Sequence, residues 1–411
     1  MNKQKKIVFL APEIPALSAT FVYNEIIELN KKGYAILPVS VHYPHSLAND
    51  VYQEPALENI LYLYNEPKIK IIISAFLLFF CSPLKYIKTG LISIFDTFKV
   101  GPFNRIGLGL QFRFLIAAHA AWIFKKNKVD HIHTHFSHVP TDIAMYASLL
   151  TGIPFTFTSH ANDLFERGWL IKEKVNRAYK AVTISNYNAD FIKSLGVKEN
   201  KISIVRCGVD ALSTQENKIT QDVNIFKIGT LGRLVEKKGV TVLIDAFSLL
   251  YKSNSNIKLE IAGDGPLKVE LEEQVKALGL SHVITFPGAL SHDKVSNWLN
   301  TLDLFTLACV KDSNGDQDGI PVVLMEAMVE NVPVISTSLS GIPELIVDEE
   351  TGLLAEPGNS QDLAAKIQTL MENKDLRDSM IVKGYKHIKK EFDKSVNIDR
   401  LIKVFEGNTY E

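Results

Sequence analysis

Short apolar runs alternate with segments of helical period along most of this 411-residue chain, in two series set apart by one polar stretch. Residues 7–11 are apolar and closed by Pro12, the pattern of a strand buried on both faces. Behind them Phe21, Ile26, Ile27 and Leu29 recur at helical spacing, with Ser18 or Thr20 suited to cap the helix and Gly33 to end it. Residues 35–41, 129–135 and 154–159 read as further strands, and 141–150 as a helix. Residues 210–222 are polar and aperiodic, which reads as a linker. The pattern then restarts, with strands at 226–231, 258–262, 283–286, 304–307 and 333–336 and helices at 240–251, 267–278 and 321–330. Such alternation predicts parallel sheets covered by helices on both faces. The expected class is α/β, two doubly wound Rossmann-like domains facing a central cleft, with ligand at the carboxyl ends of the strands. The domains are expected at 1–212 and 213–390. A tail at 391–411 carries a helix at 395–405 whose Val396, Ile398, Leu401, Ile402 and Phe405 need a surface to pack on, the first domain being the candidate.

Composition narrows the function classes. With 45 Lys+Arg against 46 Asp+Glu the net charge is -1, which gives no global sign of nucleic-acid binding. Cys81, Cys207 and Cys309 are few and far apart, which argues against a disulfide scaffold and fits a reducing compartment. The opening MNKQKKIVFLAPEIP has too short an apolar core for a signal peptide, so a first strand is the better reading.

Five stretches carry chemistry. Gly229 to Gly239 follows a strand and precedes a helix; Gly232 lets backbone approach a ligand, and Arg233 and Lys238 can meet a phosphate. Ile261-Ala-Gly263-Asp264-Gly265-Pro266 resembles half of a glycine-rich nucleotide loop, though a tight turn explains it equally. In Gly315–Met328, Pro321 suits the first turn of a helix, and free N–H groups of Gly319, Ile320 and Val322 could meet an anion there. Asp318 sits in the loop, free to face a sugar hydroxyl, and Glu326 on the helix could accept from ribose hydroxyls. Asp312, Asn314, Asp316 and Asp318 mimic a calcium loop, but the glycine is misplaced and Val323 stands where a bidentate Glu is needed. Asp316-Gln317-Asp318 is also a DxD, a match too short to weigh much. His131, His133 and His135 share one strand face, where they could bind zinc or line a cleft toward a hydroxylated ligand. His160 follows another strand, three residues before Asp163.

Taken together, these stretches resemble the family 4 glycosyltransferases, retaining enzymes of the GT-B fold, over nearly the whole chain. The branch resembled builds bacterial exopolysaccharides, capsules and O-antigens, on the segment Ser18-Ala-Thr20 to Glu25 and the His-rich strand. The resemblance implies that the C-terminal domain binds a nucleotide-sugar, a substrate rather than a cofactor, with no metal. It makes Arg233 and Lys238 the phosphate pair and Glu326 the ribose carboxylate. It makes Asp318 the sugar-contacting carboxylate, where the family usually has Glu. His160 becomes the donor-sugar histidine, and Gly232, Gly263, Gly265, Leu290, Gly319, Ile320, Pro321 and Val322 the rest of the donor site. Ser18, Thr20, His135 and Asp163 fall on the acceptor side. The donor is expected to be a UDP-sugar, with GDP as the second option because Asp293 lies in the base-side segment 288–293. Three rivals remain: a sugar-nucleotide epimerase of the same architecture, a zinc hydrolase on His131, His133 and His135, and a non-catalytic nucleotide-binding partner.

Between Lys68 and Arg113 stand seven basic residues (Lys68, Lys70, Lys85, Lys88, Lys99, Arg105, Arg113) and one acid, Asp96. Residues 71–81 are an apolar run, too short for a spanning helix of about 20 residues. A buried helix would explain the run. The basic excess with interleaved Phe76, Phe79, Phe80, Tyr86, Phe95 and Phe98 suits a face resting on anionic lipid. The expectation is a cytoplasmic enzyme docked on the inner membrane surface, with a lipid-linked or oligosaccharide acceptor and no nucleic-acid partner.

Overall fold

A computed structural model describes residues 5–16, 19–44, 57–211 and 225–407. Ser18 and most of the expected linker lie outside the described residues. The chain divides into two compact units, one of residues 1–184, 188–205 and 398–411, the other of 185–187 and 206–397.

The first unit runs β1 (Lys6–Glu13), α1 (Thr20–Lys31), β2 (Ala35–His42), β3 (Leu61–Tyr62), α2 (Lys68–Cys81), α3 (Pro83–Val100), α4 (Arg105–Lys126), β4 (His131–His135), α5 (Val139–Thr151), β5 (Phe155–Ser159), α6 (Ala161–Phe165), α7 (Ile171–Arg177), β6 (Lys180–Thr183), α8 (Asn186–Ser194) and β7 (Ile202–Ile204). Its seven parallel strands lie in the order β3-β2-β1-β4-β5-β6-β7. Phe9 of β1 sits level with Pro38 of β2 and His133 of β4. The continuous apolar reading of β1 has a simple cause: Val8 and Leu10 enter the core on one face, and Ile7, Phe9 and Ala11 the core on the other. That second core is completed by Ile398, Leu401, Val404 and Phe405 near the chain's end. The capping expectation fails at Thr20, which is the first helical residue; Ala19 occupies the cap position with no side-chain cap bond.

The second unit runs β8 (Phe226–Leu231), α9 (Val240–Ser253), β9 (Ile257–Ala262), α10 (Lys268–Ala277), β10 (Ile284–Gly288), α11 (His292–Leu299), β11 (Leu304–Thr306), α12 (Val322–Val329), β12 (Val334–Thr337), α13 (Ile342–Leu345), β13 (Leu353–Ala355), α14 (Ser360–Glu372) and α15 (Lys374–His387), with α16 (Lys394–Glu406) leaving it. Its six parallel strands lie in the order β10-β9-β8-β11-β12-β13. Strand order reverses between β1 and β4 in the first sheet and between β8 and β11 in the second. The crevice outside the strand ends at such a reversal is where doubly wound folds bind ligands.

Between β3 and β4 the first unit carries three helices where one crossover helix would suffice. Of these α4 is long and apolar enough to cross a membrane, and half of its most apolar window is buried within the unit. The Arg113 guanidinium does not face outward as the basic count assumed. It lies 2.9 Å from the buried Asp142 carboxylate of α5, which also holds the fully buried Lys174 at 2.9 Å. Asp96 is likewise buried, held by Arg177 at 2.6 and 2.9 Å and by the Tyr146 hydroxyl at 3.0 Å.

Candidate functional site

In the second unit the loops after β8 and β11 meet at the strand reversal. Gly239 takes a left-handed φ of 62° and abuts the Ala308 carbonyl so closely that a Cβ would lie 1.7 Å from its oxygen. That approach brings the two loops together. Lys238 Nζ lies 2.6 Å from Asp318 Oδ2, and its side chain runs beside Gly232. Lys237, not singled out in the sequence, lies 2.7 Å from Asp316 and 3.6 Å from Asp318. Asp318 is therefore not free, as the sequence reading had it. It is ion-paired with both lysines and accepts from the Cys309 thiol at 3.4 Å. Burial alone would push the Asp318 carboxyl up, but Lys238 and then Lys237 outweigh it and hold it below the usual carboxylate range. Burial works against the Lys238 ammonium, and Asp318 overrides it, so that lysine sits above its ordinary value. Asp316 and Asp312 are engaged within this loop: Asp312 accepts from the N–H groups of Asn314 and Asp316.

Arg233 is exposed, and its guanidinium has no partner among the described residues. Pro321 occupies the cap position of α12, one residue earlier than expected. The N–H groups of Gly319, Ile320 and Val322 make no hydrogen bond to described residues. Glu326 lies on α12, half-buried, with no hydrogen-bond partner among the described residues; burial raises its carboxyl, opposed by the nearby His292. Leu290 packs on the same apolar cluster as Val322 and α12. The loop at 263–265 plays a structural part. A Cβ on Gly263 would lie 1.9 Å from the Gly232 oxygen, and one on Gly265 would lie 2.5 Å from that of Leu234. These glycines let one loop lie directly on the other, which places backbone at Gly232.

The first unit gathers a second set of polar groups at the end of β4. His135 Nε2 lies 3.0 Å from Glu25 Oε2, and His135 Nδ1 lies 3.3 Å from His160 Nε2. The His160 side chain also accepts from the Asp163 N–H, closing a capping box at the start of α6. A ring nitrogen that accepts from an amide is unprotonated. His160 therefore carries its proton on Nε2 and donates to His135, which donates in turn to Glu25. Burial holds His160 well below its ordinary value.

Three sequence readings change here. Asp163, placed on the acceptor side, is wholly buried and accepts from the N–H groups of Ser137 and His160, so it holds the turn. Burial pushes its carboxyl up to about 6 against the pull of those bonds. His131 and His133 do not line an opening. Both lie beside Phe405, and His131 Nε2 and His133 Nδ1 each meet Thr156 Oγ1 at 2.8 Å. Glu25, His133 and His135 do carry ligand atoms within 4.8 Å of one another, a spacing that would admit a metal. The His133 nitrogens are already bonded to Thr156 and Thr158, however, and His135 to Glu25 and His160. That set fits a hydrogen-bonded chain better than a coordination shell.

Two loops at a strand reversal, a lysine–carboxylate pair and a helix start whose amides are unpaired among the described residues mark the candidate site of a Rossmann-like unit. The sequence profile of the family described as Glycosyl transferases group 1 matches residues 213–387, and that of Glycosyltransferase Family 4 matches residues 90–211. The chain belongs to the family 4 glycosyltransferases. It is 26% identical to the amylovoran biosynthesis glycosyltransferase AmsK of Erwinia amylovora, over 98% of this chain and 99% of AmsK. It is 31% identical to WcaL of Salmonella typhimurium, a glycosyltransferase provisionally assigned to colanic acid biosynthesis; that match spans 58% of this chain and only 56% of WcaL. Among solved structures, Anabaena HepE in complex with UDP and glucose superposes with a TM-score of 0.73 at 17% identity, over 98% of this chain and 100% of HepE. A glycosyltransferase from Rickettsia africae superposes with a TM-score of 0.72 at 17% identity, over 98% of this chain and 99% of that one. At those identities the likeness shows the fold, the GT-B arrangement of two Rossmann-like sheets.

Proposed function

We propose that the chain is a retaining, metal-independent glycosyltransferase of cell-surface polysaccharide synthesis. It moves a hexose or related sugar from a nucleotide-sugar to a lipid-linked or growing saccharide. A UDP-sugar is the favoured donor, in keeping with the UDP held by the HepE fold relative, and a GDP-sugar the second option. One observation carries the reading: on the loops and helix at the second sheet's strand reversal, Glu326 is a half-buried carboxylate, Arg233 is a cation and the start of α12 has N–H groups, none of them with a partner among the described residues. A ribose diol satisfies the first, and a diphosphate the second and third.

The chemistry follows from charge. As the bond between the anomeric carbon and the β-phosphate oxygen breaks, negative charge gathers on the diphosphate. In this reading Arg233, Lys238 and the α12 amides stabilise it. The acceptor hydroxyl forms its bond on the same face of the sugar, and its proton passes to the departing phosphate oxygen, so no protein nucleophile is needed. Asp318 and His160 are assigned to the donor sugar, and Thr20 and His135 to the acceptor side. A lipid-linked acceptor and a cytoplasmic enzyme docked on the inner membrane face are part of the same proposal; the basic excess and exposed aromatics of residues 68–113 support them.

A screen of nucleotide-sugars for release of nucleoside diphosphate, with EDTA present and absent, tests the reading. Slow donor hydrolysis that survives EDTA supports it, as does a product whose linkage keeps the donor's anomeric configuration by NMR. Interconversion of nucleotide-sugars without release indicates the epimerase, activity restored only by zinc indicates the hydrolase, and an inverted linkage removes the retaining assignment.

A further inference from the structure

α3 is built inside out. Its buried side chains are Thr89, Ser93, Asp96 and Thr97. Its exposed row is Leu84, Ile87, Leu91, Ile94, Phe95 and Phe98, one apolar stripe at helical spacing. Tyr86, Ile92 and Val100 pack against the core beside this polar row, and the polar groups are satisfied: Thr97 donates to the Gly107 carbonyl and accepts from Gln111 of α4, and Asp96 meets Tyr146 and Arg177. α2 repeats the outward stripe with Ile69, Ile72, Ile73, Phe76, Leu77 and Phe80. Seventeen of the twenty-five large apolar side chains exposed among the described residues fall between Ile69 and Leu115. A helix face that is polar toward the protein and apolar toward the outside is stable only if the outside is not water.

We infer that the α2–α3 pair is a membrane-inserted element, lying in the plane of one leaflet with both stripes in the acyl region and anionic headgroups around it. This rests on the docking part of the function proposed above and not on the sugar chemistry. At 1.5 Å per residue α2 and α3 are only about 21 and 27 Å long, under the roughly 30 Å of a hydrocarbon core, and their axes turn by 120° at the break. Neither the pair nor either helix crosses. Charge selects the occupant. From Pro67 to Lys128 the only acid is the buried Asp96, whereas nine lysines and arginines are exposed; Lys70 is paired with Glu66 and Lys99 with Glu173, which leaves seven without an acidic partner among the described residues. A second copy seated on this face would set those cations against their own kind, whereas an anionic leaflet neutralises them.

Cys81 makes the test direct. It is the only exposed cysteine of the three and sits four residues beyond Leu77 on the α2 stripe. The full chain, labelled there with an environment-sensitive fluorophore, is mixed with vesicles of phosphatidylcholine and phosphatidylglycerol. Insertion predicts quenching by lipids brominated on the acyl chain and flotation that persists at about 1 M salt, where the screening length is near 3 Å. Phe76→Asp and Ile94→Asp alter exposed side chains only, so both variants keep the wild-type melting temperature. Each should lower the vesicle-bound fraction on the order of tenfold. Flotation abolished by high salt, with no quenching, overturns insertion and leaves docking standing. A chain that stays at the bottom of the gradient, as a monomer or as a dimer by sedimentation, overturns both. None of these outcomes depends on whether a donor sugar is turned over.

Discussion

Asp318→Asn should tighten binding of UDP while destroying transfer. The reason lies in the pair at 2.6 Å: Lys238 cannot give its charge wholly to a diphosphate while Asp318 holds it, and the carboxylate also repels the incoming anion. Both side chains are less than a fifth exposed, so the pair is stronger than a surface bridge, worth more than the usual 0–1 kcal/mol or so. Breaking a fully dry pair costs about 3–5 kcal/mol. Here Lys237 at 3.6 Å shares the carboxylate and water reaches the site, which brings the competing energy to about 1–2 kcal/mol. Released to the ligand, that is a UDP dissociation constant roughly 5–30-fold lower. The same change leaves the Lys238 ammonium without its carboxylate while Lys237 keeps Asp316, so the ligand-free variant melts lower than wild type, and UDP raises its midpoint by more. The sign with pH is fixed by the lowered Asp318 value: the wild type's advantage in stability is complete above about pH 4 and is lost as pH falls through the folded-state value. Calorimetric titration of UDP into both proteins at neutral pH is the assay. Equal or weaker binding by the variant would refute the pairing, or the placement of Lys238 on the diphosphate.

Two further outcomes follow from the same geometry. Arg233→Ala should cut turnover by about two to three orders of magnitude with an unchanged melting temperature, because the exposed guanidinium has no hydrogen-bond or ion-pair partner among the described residues, whereas Lys238→Ala should lower both; a folded Arg233→Ala enzyme of normal rate would remove Arg233 from the site. Glu25→Ala should lower kcat about 10–100-fold with little change in donor KM, and Glu25→Gln, which can still accept from His135, should recover most of it; equal loss in both variants would mean that the carboxylate's charge matters rather than its hydrogen bond.

Much of the candidate site in the second unit was legible because its parts are local. Arg233, Lys238, Pro321 and Glu326 stand at fixed distances from strand ends that the apolar runs mark. Lys237 was missed although it adjoins Lys238, since a Lys-Lys pair does not say which ammonium turns toward which carboxylate. Glu25 was missed as an individual residue because nothing near it signals chemistry; its partner His135 lies 110 residues on. Asp163 was misplaced because an acid beside a cleft histidine and an acid capping that histidine's turn are spelled alike. The His-rich strand was read as open to ligand because period two says that three side chains share a face, not that α16, more than 250 residues away in sequence, brings Phe405 onto it.

By itself the chain's order of residues determined the two Rossmann-like series, where strands yield to loops, and that α3 has one largely apolar and one largely polar face. Those are matters of period, and period is local. It did not determine which face of α3 looks inward. A helical stripe is symmetric under that choice, and the ordinary assumption buries the apolar side. The choice was made by partners far along the chain: Arg177 and Tyr146 hold Asp96 inside, and Gln111 donates to Thr97. A buried carboxylate with a bidentate guanidinium is tolerable and one without is not, so these contacts turn the polar face in and leave the apolar stripe to whatever medium lies outside.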